Sequence, residues 1–438
     1  MTDIGVGFAS IGVMVLLIYA GMYVPVALSL ISFLGVWWMK GNVVLASKLL
    51  AFAAANTISS YLFGVVPLFV LMGLLVSVSD IGKDTFEVAN QLFRRIKGGL
   101  GIATVAANTV FAAITGISIA SAAVFTKVAV PEMTRHGYNP RFAVGIVAGS
   151  SVLGMLIPPS LLLIIYGVLS EQSVGDLFLA GVLPGLVLAA AYAIAIPAFF
   201  RWWPSFTGLA LEEAGADAPR MSNLEMLWKL GPVVALVALV LGGIYGGLFT
   251  PTEAGAVGAL GSFLLALTKR RLTWPSFWRV LVESGHITAA ICLLIIAASM
   301  YSQMLTLSGI TSYLGNWIAS GGLSFPVLLT AFVVVVLALG TILDSSSIML
   351  ITLPLVLPVI AKFGVDLVWF GIVTVIAVEI GLLTPPFGIS VYVIKATLDD
   401  QRMSLNEIFA GALPFAAIMF LVLLLVIFVP WLSLALIR

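Results

Sequence analysis

The chain has 438 residues, of which 61% are hydrophobic and only 9% charged, with a mean hydropathy of +1.19. A soluble domain would carry about 25% charged residues, so this composition excludes an ordinary soluble enzyme or binding module. The single cysteine (Cys292) excludes an internal disulfide, and it is accompanied by two scattered histidines (His136 and His286) and a net charge of +1. They also give no support for a nucleic-acid partner, a zinc or iron site, or any other cofactor, and no phosphate-binding Gly-rich loop is present.

In chain order, apolar runs at 4–21, 25–39 and 62–79 predict spans. A more amphipathic stretch lies at 44–60. The first run, from Ile4 to Tyr19, has neither a basic flank before it nor a small-x-small cleavage site, and reads as a retained helix. The apolar stretch 98–134 follows, with Arg94, Arg95 and Lys97 before it and Arg135 and Arg141 after it. Basic residues at both ends place both on the cytoplasmic side. Thr115-Gly116-Ile117-Ser118 interrupts its centre, which predicts a re-entrant hairpin. A helix at 141–170, broken at Pro158-Pro159, and a span at 177–200 complete the first half.

A hydrophilic cytoplasmic loop at 201–227, with Glu212, Glu213, Asp217 and Glu225, leads to a second series. This comprises spans at 230–247 and 252–268, an amphipathic stretch near 275–288, and a span at 289–306. A hairpin at about 322–358, a broken helix at 366–398 and a span at 408–435 follow. Tryptophans at span ends, including Trp37, Trp38, Trp202, Trp203, Trp274 and Trp278, read as interface anchors.

The two series are one repeat. Leu153-Gly154-Met155-Leu156-Ile157-Pro158-Pro159 aligns with Ile380-Gly381-Leu382-Leu383-Thr384-Pro385-Pro386, and the same offset pairs Ser118 with Ser345, Pro131 with Pro358 and Gly137 with Gly364. After three inserted residues near Asp399 to Arg402, Ala180-Gly181-Val182-Leu183-Pro184 pairs with Ala410-Gly411-Ala412-Leu413-Pro414. The second hairpin has no basic cluster at its mouth, only Lys362 and Asp366 beyond its second arm, and should open outward. The fold class predicted is therefore an all-α polytopic membrane protein of two inverted-topology repeats, 1–200 and 228–438, with both termini outside.

Helix breaks at membrane depth free backbone carbonyls and amides that lipid cannot satisfy, and inverted repeats place their sites where such breaks meet. The prolines remove donors and start new half-helices; Gly154 and Gly381 let the preceding half-helix end with carbonyls exposed. Hydroxyls cluster at the same places: Ser118, Ser121, Ser150, Ser151 and Ser160 in one half, and Ser345, Ser346, Ser347 and Thr384 in the other. Such hard oxygen ligands suit a cation like sodium. For any single serine, helix packing is the more common role. Asp344 is an expensive carboxylate inside an apolar hairpin and reads as an ion-site or gating group. Glu379 admits that reading or an interhelical hydrogen bond equally. Lys127 is placed to snorkel, and Glu253, after Thr250-Pro251-Thr252, to cap a helix.

Phe249-Thr-Pro-Thr-Glu-Ala-Gly-Ala256, Ile157-Pro-Pro-Ser160 followed by Ile165-Tyr-Gly-Val168, and Glu379-Ile-Gly-Leu-Leu-Thr-Pro-Pro386 carry a family resemblance. Over essentially its whole length the chain resembles the large membrane (DctM-like) subunit of tripartite ATP-independent periplasmic (TRAP) transporters. The resemblance implies an elevator with a mobile transport domain, holding hairpins and broken helices, against a fixed scaffold. It implies a multi-pass protein of the bacterial inner membrane that uses sodium to import an organic acid: a C4-dicarboxylate, another carboxylate or a sugar acid. The implied partners are a periplasmic substrate-binding protein (DctP-like) and a small four-helix membrane subunit (DctQ-like). Because the chain begins with Met1 and a first span, that subunit is expected as a separate chain. Carried over by position, the implied sodium ligands are Ser118, Gly154 and Pro158 in one cluster and Asp344, Ser345, Gly381 and Thr384 in the other. Ser121, Ser160, Ser346 and Pro385 are the substrate-binding candidates. The first tip has Ile117 where a Ser-Gly-Ser-like run is expected, which shifts ligation there toward backbone carbonyls. The alternatives are a stand-alone sodium- or proton-coupled carboxylate transporter of the same superfamily, and a channel or membrane-embedded enzyme. For an enzyme the sequence offers no nucleophile–base pair.

Overall fold

The computed structural model describes residues 2–208, 221–319, 324–386, 388–398 and 403–437. The acidic loop residues Glu212, Glu213 and Asp217, the start of the second hairpin at 322–323, and the insertion at Asp399 to Arg402 lie outside the described residues. Apart from an isolated bridge between Tyr138 and Gly208, the described elements are helices. Seven are long and apolar enough to cross a membrane.

The first half runs α1 (Asp3–Tyr19), α2 (Val24–Lys40), α3 (Val43–Ser59), α4 (Val65–Val78), α5 (Ile81–Phe93), α6 (Gly99–Thr115), α7 (Ser118–Arg135), α8 (Pro140–Ser151), α9 (Leu153–Leu156), α10 (Leu161–Ser170) and α11 (Val174–Trp202), closed by the single turn α12 (Pro204–Thr207). The second runs α13 (Asn223–Tyr245), α14 (Pro251–Thr268), α15 (Trp274–Ser308), α16 (Ile310–Ala319), α17 (Phe325–Gly340), α18 (Ser345–Ile360), α19 (Leu367–Leu382), α20 (Ile389–Thr397), α21 (Leu405–Phe428) and α22 (Trp431–Leu434).

Three differences from the sequence reading have physical causes. The stretch 275–288 and the span 289–306 are one continuous 35-residue helix, α15. In the first half Ser60 adopts extended backbone and breaks α3 from α4; no proline or turn residue interrupts 286–308, so nothing stops the second copy. The helices α5 and α16 were not anticipated. In α5 the polar positions share one face: Asp84 pairs with Lys269, Glu87 Oε2 lies 2.6 Å from Lys229 Nζ, and the preceding Asp80 lies 3.0 Å from Arg271 Nε. Its other face, with Ile81, Phe86 and Val88, is buried against α6 and α7. Lastly, Gly154 and Gly381 do not end their helices, since α9 runs on to Leu156 and α19 to Leu382. They are contact points instead, as described below.

Helix starts follow local chemistry. Glu253 caps α14 through a reciprocal box with Thr250, whose N–H donates to Glu253 Oε2 at 2.8 Å. Ser404 and Glu407 do the same for α21. Glu407 also holds Arg141 at 2.7 Å, tying the start of α8 to α21. Both partners are partly exposed, so Arg141→Met should leave the thermal unfolding midpoint close to that of the wild type.

Packing decides where broken backbone can sit. Every residue of α19 from Val368 to Leu382 is buried, as is α8 from Phe142 to Ser151. Large exposed apolar side chains such as Leu16, Trp38, Leu239, Leu264 and Leu293 lie on α1, α2, α13, α14 and α15, and others, such as Val334 and Leu421, on α17 and α21. The break at Pro158-Pro159 is therefore shielded by protein, the condition for irregular backbone at membrane depth, whereas Pro385 and Pro386 are exposed. Where α8 meets α21 the backbones touch: a Cβ on Gly145 would lie 2.1 Å from the Gly411 carbonyl oxygen, close small-residue packing that suits a lipid-embedded interface. The halves interlock, because α10 packs on α18 and α20 on α7.

Candidate functional site

The first hairpin turns at Gly116, which takes φ +63° and donates its N–H to the Ala112 carbonyl. Its own carbonyl accepts from Leu161 N–H at 3.2 Å. A Cβ on Gly116 would lie 2.4 Å from the Pro159 oxygen. The tip thus rests directly on the Pro158-Pro159 break. Gly154 receives the other edge of the tip, its absent Cβ 3.1 Å from the Ile117 carbonyl carbon and 3.2 Å from Ser118 N. From the opposite side Gly73 of α4 lets the Thr115 oxygen approach, to 2.6 Å from where a Cβ would stand. A small cavity remains between Phe69, Val70, the tip and Pro159.

At the second hairpin α17 ends on Gly340, whose absent Cβ would lie 2.5 Å from Gly381 Cα. Asp344 caps α18: Ser346 N–H and Ser347 N–H donate to it at 3.1 and 3.2 Å, and the Ser347 hydroxyl also donates. Ser345 Oγ donates to Glu379 Oε1 at 3.0 Å. Both Pro-Pro bonds are cis.

Glu379 sits where the halves meet. It is fully buried, and the Ser118 hydroxyl at the start of α7 faces the same carboxyl that Ser345 binds at the start of α18. Among the described residues, buried oxygens without a hydrogen-bond partner include Ser118 Oγ and Ser121 Oγ on α7, Glu379 Oε2 on α19 and Asn108 Oδ1 on α6. Asn108 donates to Ser150 Oγ at 2.7 Å, which fixes the amide and leaves its oxygen open. Buried polar atoms normally find partners, so such oxygens are ones that a hard cation or a bound donor would complete.

The remaining candidates are placed as follows. Gly154 lies buried beside Ser118, Pro158 is buried, and Gly381 lies beside Gly340. Ser160 caps α10, accepting from Leu163 N–H and donating to the Met155 carbonyl. Ser151 donates back to Ala148. Thr384 donates to the Ile380 carbonyl at 2.8 Å and is partly exposed, as is Ser346, while Pro385 is exposed. None of these three enters the hydrogen bonds around Glu379. Lys127 is exposed. Asn108, the one amide within α6, is not among the residues the sequence singles out.

The DctM component family of the tripartite ATP-independent periplasmic transporters matches residues 11–432. The chain is 35% identical to the C4-dicarboxylate TRAP transporter large permease protein of Pseudomonas aeruginosa, covering 88% of each chain. It is 32% identical to the corresponding protein of Rhodobacter capsulatus, covering 97% of each. The sialic acid TRAP transporter large permease protein of Vibrio cholerae is 31% identical, with 96% of each covered. Among solved structures, the YdaH transporter of Alcanivorax borkumensis superposes with a TM-score of 0.59 at 14% identity, covering 88% of this chain and 89% of that one. MtrF of Neisseria gonorrhoeae gives 0.61 at 14%, covering 87% and 83%; both show likeness of fold. These relatives are permease subunits and not enzymes, which sets the enzyme alternative aside. With its helical spans and near end-to-end match, the chain belongs to the DctM family of TRAP transporter large permease subunits.

Proposed function

We propose that this permease couples an inward sodium gradient to import of an organic acid across the bacterial inner membrane, by moving the two hairpins and two broken helices past a fixed scaffold. The observation that carries the reading is the meeting of Ser118, Ser345 and Glu379, from both halves, beside buried oxygens without partners. Serine hydroxyls, an amide oxygen and broken-helix carbonyls are hard donors suited to sodium. The residues carried over as ligands are Ser118, Gly154 and Pro158, and Asp344, Ser345, Gly381 and Thr384. The starts of α7 and α18 would then favour an anionic substrate group, with Ser121, Ser160, Ser346 and Pro385 around it. The repeats 1–200 and 228–438 are read as inverted in the membrane, which lets one site open to either side.

The relatives named for C4-dicarboxylates and sialic acid support an organic-acid cargo. A relative named as an isethionate DctMQ permease, 29% identical and covering 86% of this chain but 58% of its own length, supports a small membrane subunit as partner. A periplasmic binding protein is the third component. The test is uptake in proteoliposomes: transport should need a sodium gradient, the small subunit and the binding protein together. Uptake by this chain alone would favour the stand-alone transporter.

A further inference from the structure

We propose that the turn between α5 and α6, together with the end of α11, binds the phosphate of an anionic lipid through Arg94, Arg95, Lys97 and Arg201. The site is separate from the hairpin tips and the broken helices.

Four cations come to one place in the fold. Arg94, Arg95 and Lys97 lie in the turn that links Phe93, the end of α5, to Gly99, the start of α6. Gly98 takes φ +81° there and packs on α11, since a Cβ on it would lie 3.0 Å from Ile196 Cγ2 and 3.0 Å from Phe200 Cδ2. Arg201 directly follows Phe200 in the last turn of α11 and is exposed. The turn thus carries its three cations to the helix end that holds the fourth.

Their charge is not answered within the chain. Arg94 is partly buried, and its Nη1 is shielded from solvent without a hydrogen-bond partner. Arg95 and Lys97 are exposed. Among the described residues the carboxylates of the adjoining helices are engaged elsewhere. On α5, Asp80, Asp84 and Glu87 pair with Arg271, Lys269 and Lys229, and on α7 Glu132 faces Arg135 and His136. A guanidinium N–H withdrawn from water without an acceptor is costly. A phosphate oxygen answers it with a charge-assisted hydrogen bond in the geometry that arginine favours.

The surroundings select a lipid over a free anion. Leu92 and Ile96, on either side of the two arginines, are 60% and 47% exposed, and Trp202, beside Arg201, is 77% exposed. Apolar side chains interleaved with cations are unfavourable in water, but they fit the boundary between headgroups and acyl chains. The basic residues assign this end of the molecule to the cytoplasmic leaflet. Clusters of Lys and Arg beside a span attract anionic headgroups there.

The experiment is native mass spectrometry of the purified chain in detergent, measuring bound lipid at matched additions of phosphatidylglycerol and phosphatidylcholine. The variants are Arg94→Gln, Lys97→Gln and, as a control for charge alone, Arg279→Gln, an exposed arginine of α15. The wild type should retain phosphatidylglycerol in preference to phosphatidylcholine. Arg94→Gln and Lys97→Gln should each weaken that binding by about fivefold, the effect of one basic residue at an anionic surface, and Arg279→Gln should leave it unchanged. Equal retention of the two lipids, or the same loss in all three variants, overturns the proposal, because cations that only orient the chain have no preferred headgroup. Displacement of phosphatidylglycerol by an equal concentration of inorganic phosphate would make the occupant a free anion and overturn the lipid. Lys97 is exposed, so its variant decides the matter even where Arg94→Gln fails to fold.

Discussion

Gly381→Val should separate the second hairpin from its broken helix and abolish transport. The contact is backbone on backbone: a Cβ at 381 would lie 2.7 Å from Gly340 Cα and 3.3 Å from both the Gly340 carbonyl carbon and the Leu337 oxygen. A flexible neighbour could rotate away, but Gly340 has no side chain to move. The helices must part, and overpacking of this kind costs about 1–3 kcal/mol. Glu379 stands two residues away, so its bond to Ser345 is lost with the contact. Gly340→Ala should act in the same direction. Gly12→Ala, where nothing lies within 4 Å, is the matched control and should be neutral. Thermal unfolding and reconstituted uptake measured side by side check this. Wild-type values for Gly381→Val would show that the hairpin can ride over the added methyls.

Asp344→Ala should eliminate sodium-dependent uptake, and its value lies in being separable from capping. The carboxylate accepts from Ser346 N–H and Ser347 N–H, a cap whose removal costs about 1 kcal/mol of stability. Asparagine serves as a cap about as well as aspartate, but it carries no charge. If Asp344 ligates a cation, Asp344→Asn should fold like the wild type and yet lose uptake, while Asp344→Ala loses uptake and also melts lower. If Asp344 is a cap alone, Asp344→Asn should transport normally.

The sequence carried the parts of the site better than their meeting. Thr115-Gly116-Ile117-Ser118 stands out as small and polar within an apolar run, and α6 and α7 stop and start there. The paired proline motifs are visible because both copies retain them. Glu379 stays open in the sequence between an ion-site role and an interhelical hydrogen bond, because its partner Ser345 lies on another helix, α18. Its contact with Ser118 joins residues from opposite halves, and no local pattern encodes that. The glycines before the prolines were misread because spacing alone cannot separate a helix end from a contact point. Gly381 shows its role only when Gly340 lies against it. The unbroken α15 is not legible in the sequence because a change in amphipathic character does not itself end a helix: the chain stays helical through Ser284, Ser299 and Ser302.

The central claim is that each half supplies a cation cluster, one around Ser118 and the other around Asp344 and Ser345. Sodium binding to the folded state alone would stabilise it, by about 2.7 kcal/mol at a concentration 100 times the dissociation constant. The decisive measurement is thermal unfolding of the purified chain in sodium and in potassium, for wild type, Ser118→Ala and Asp344→Asn. The account predicts that sodium, and not potassium, raises the wild-type midpoint, and that a substitution in either half reduces the gain. Equal midpoints in the two salts, or a sodium gain unaffected by both substitutions, would contradict it.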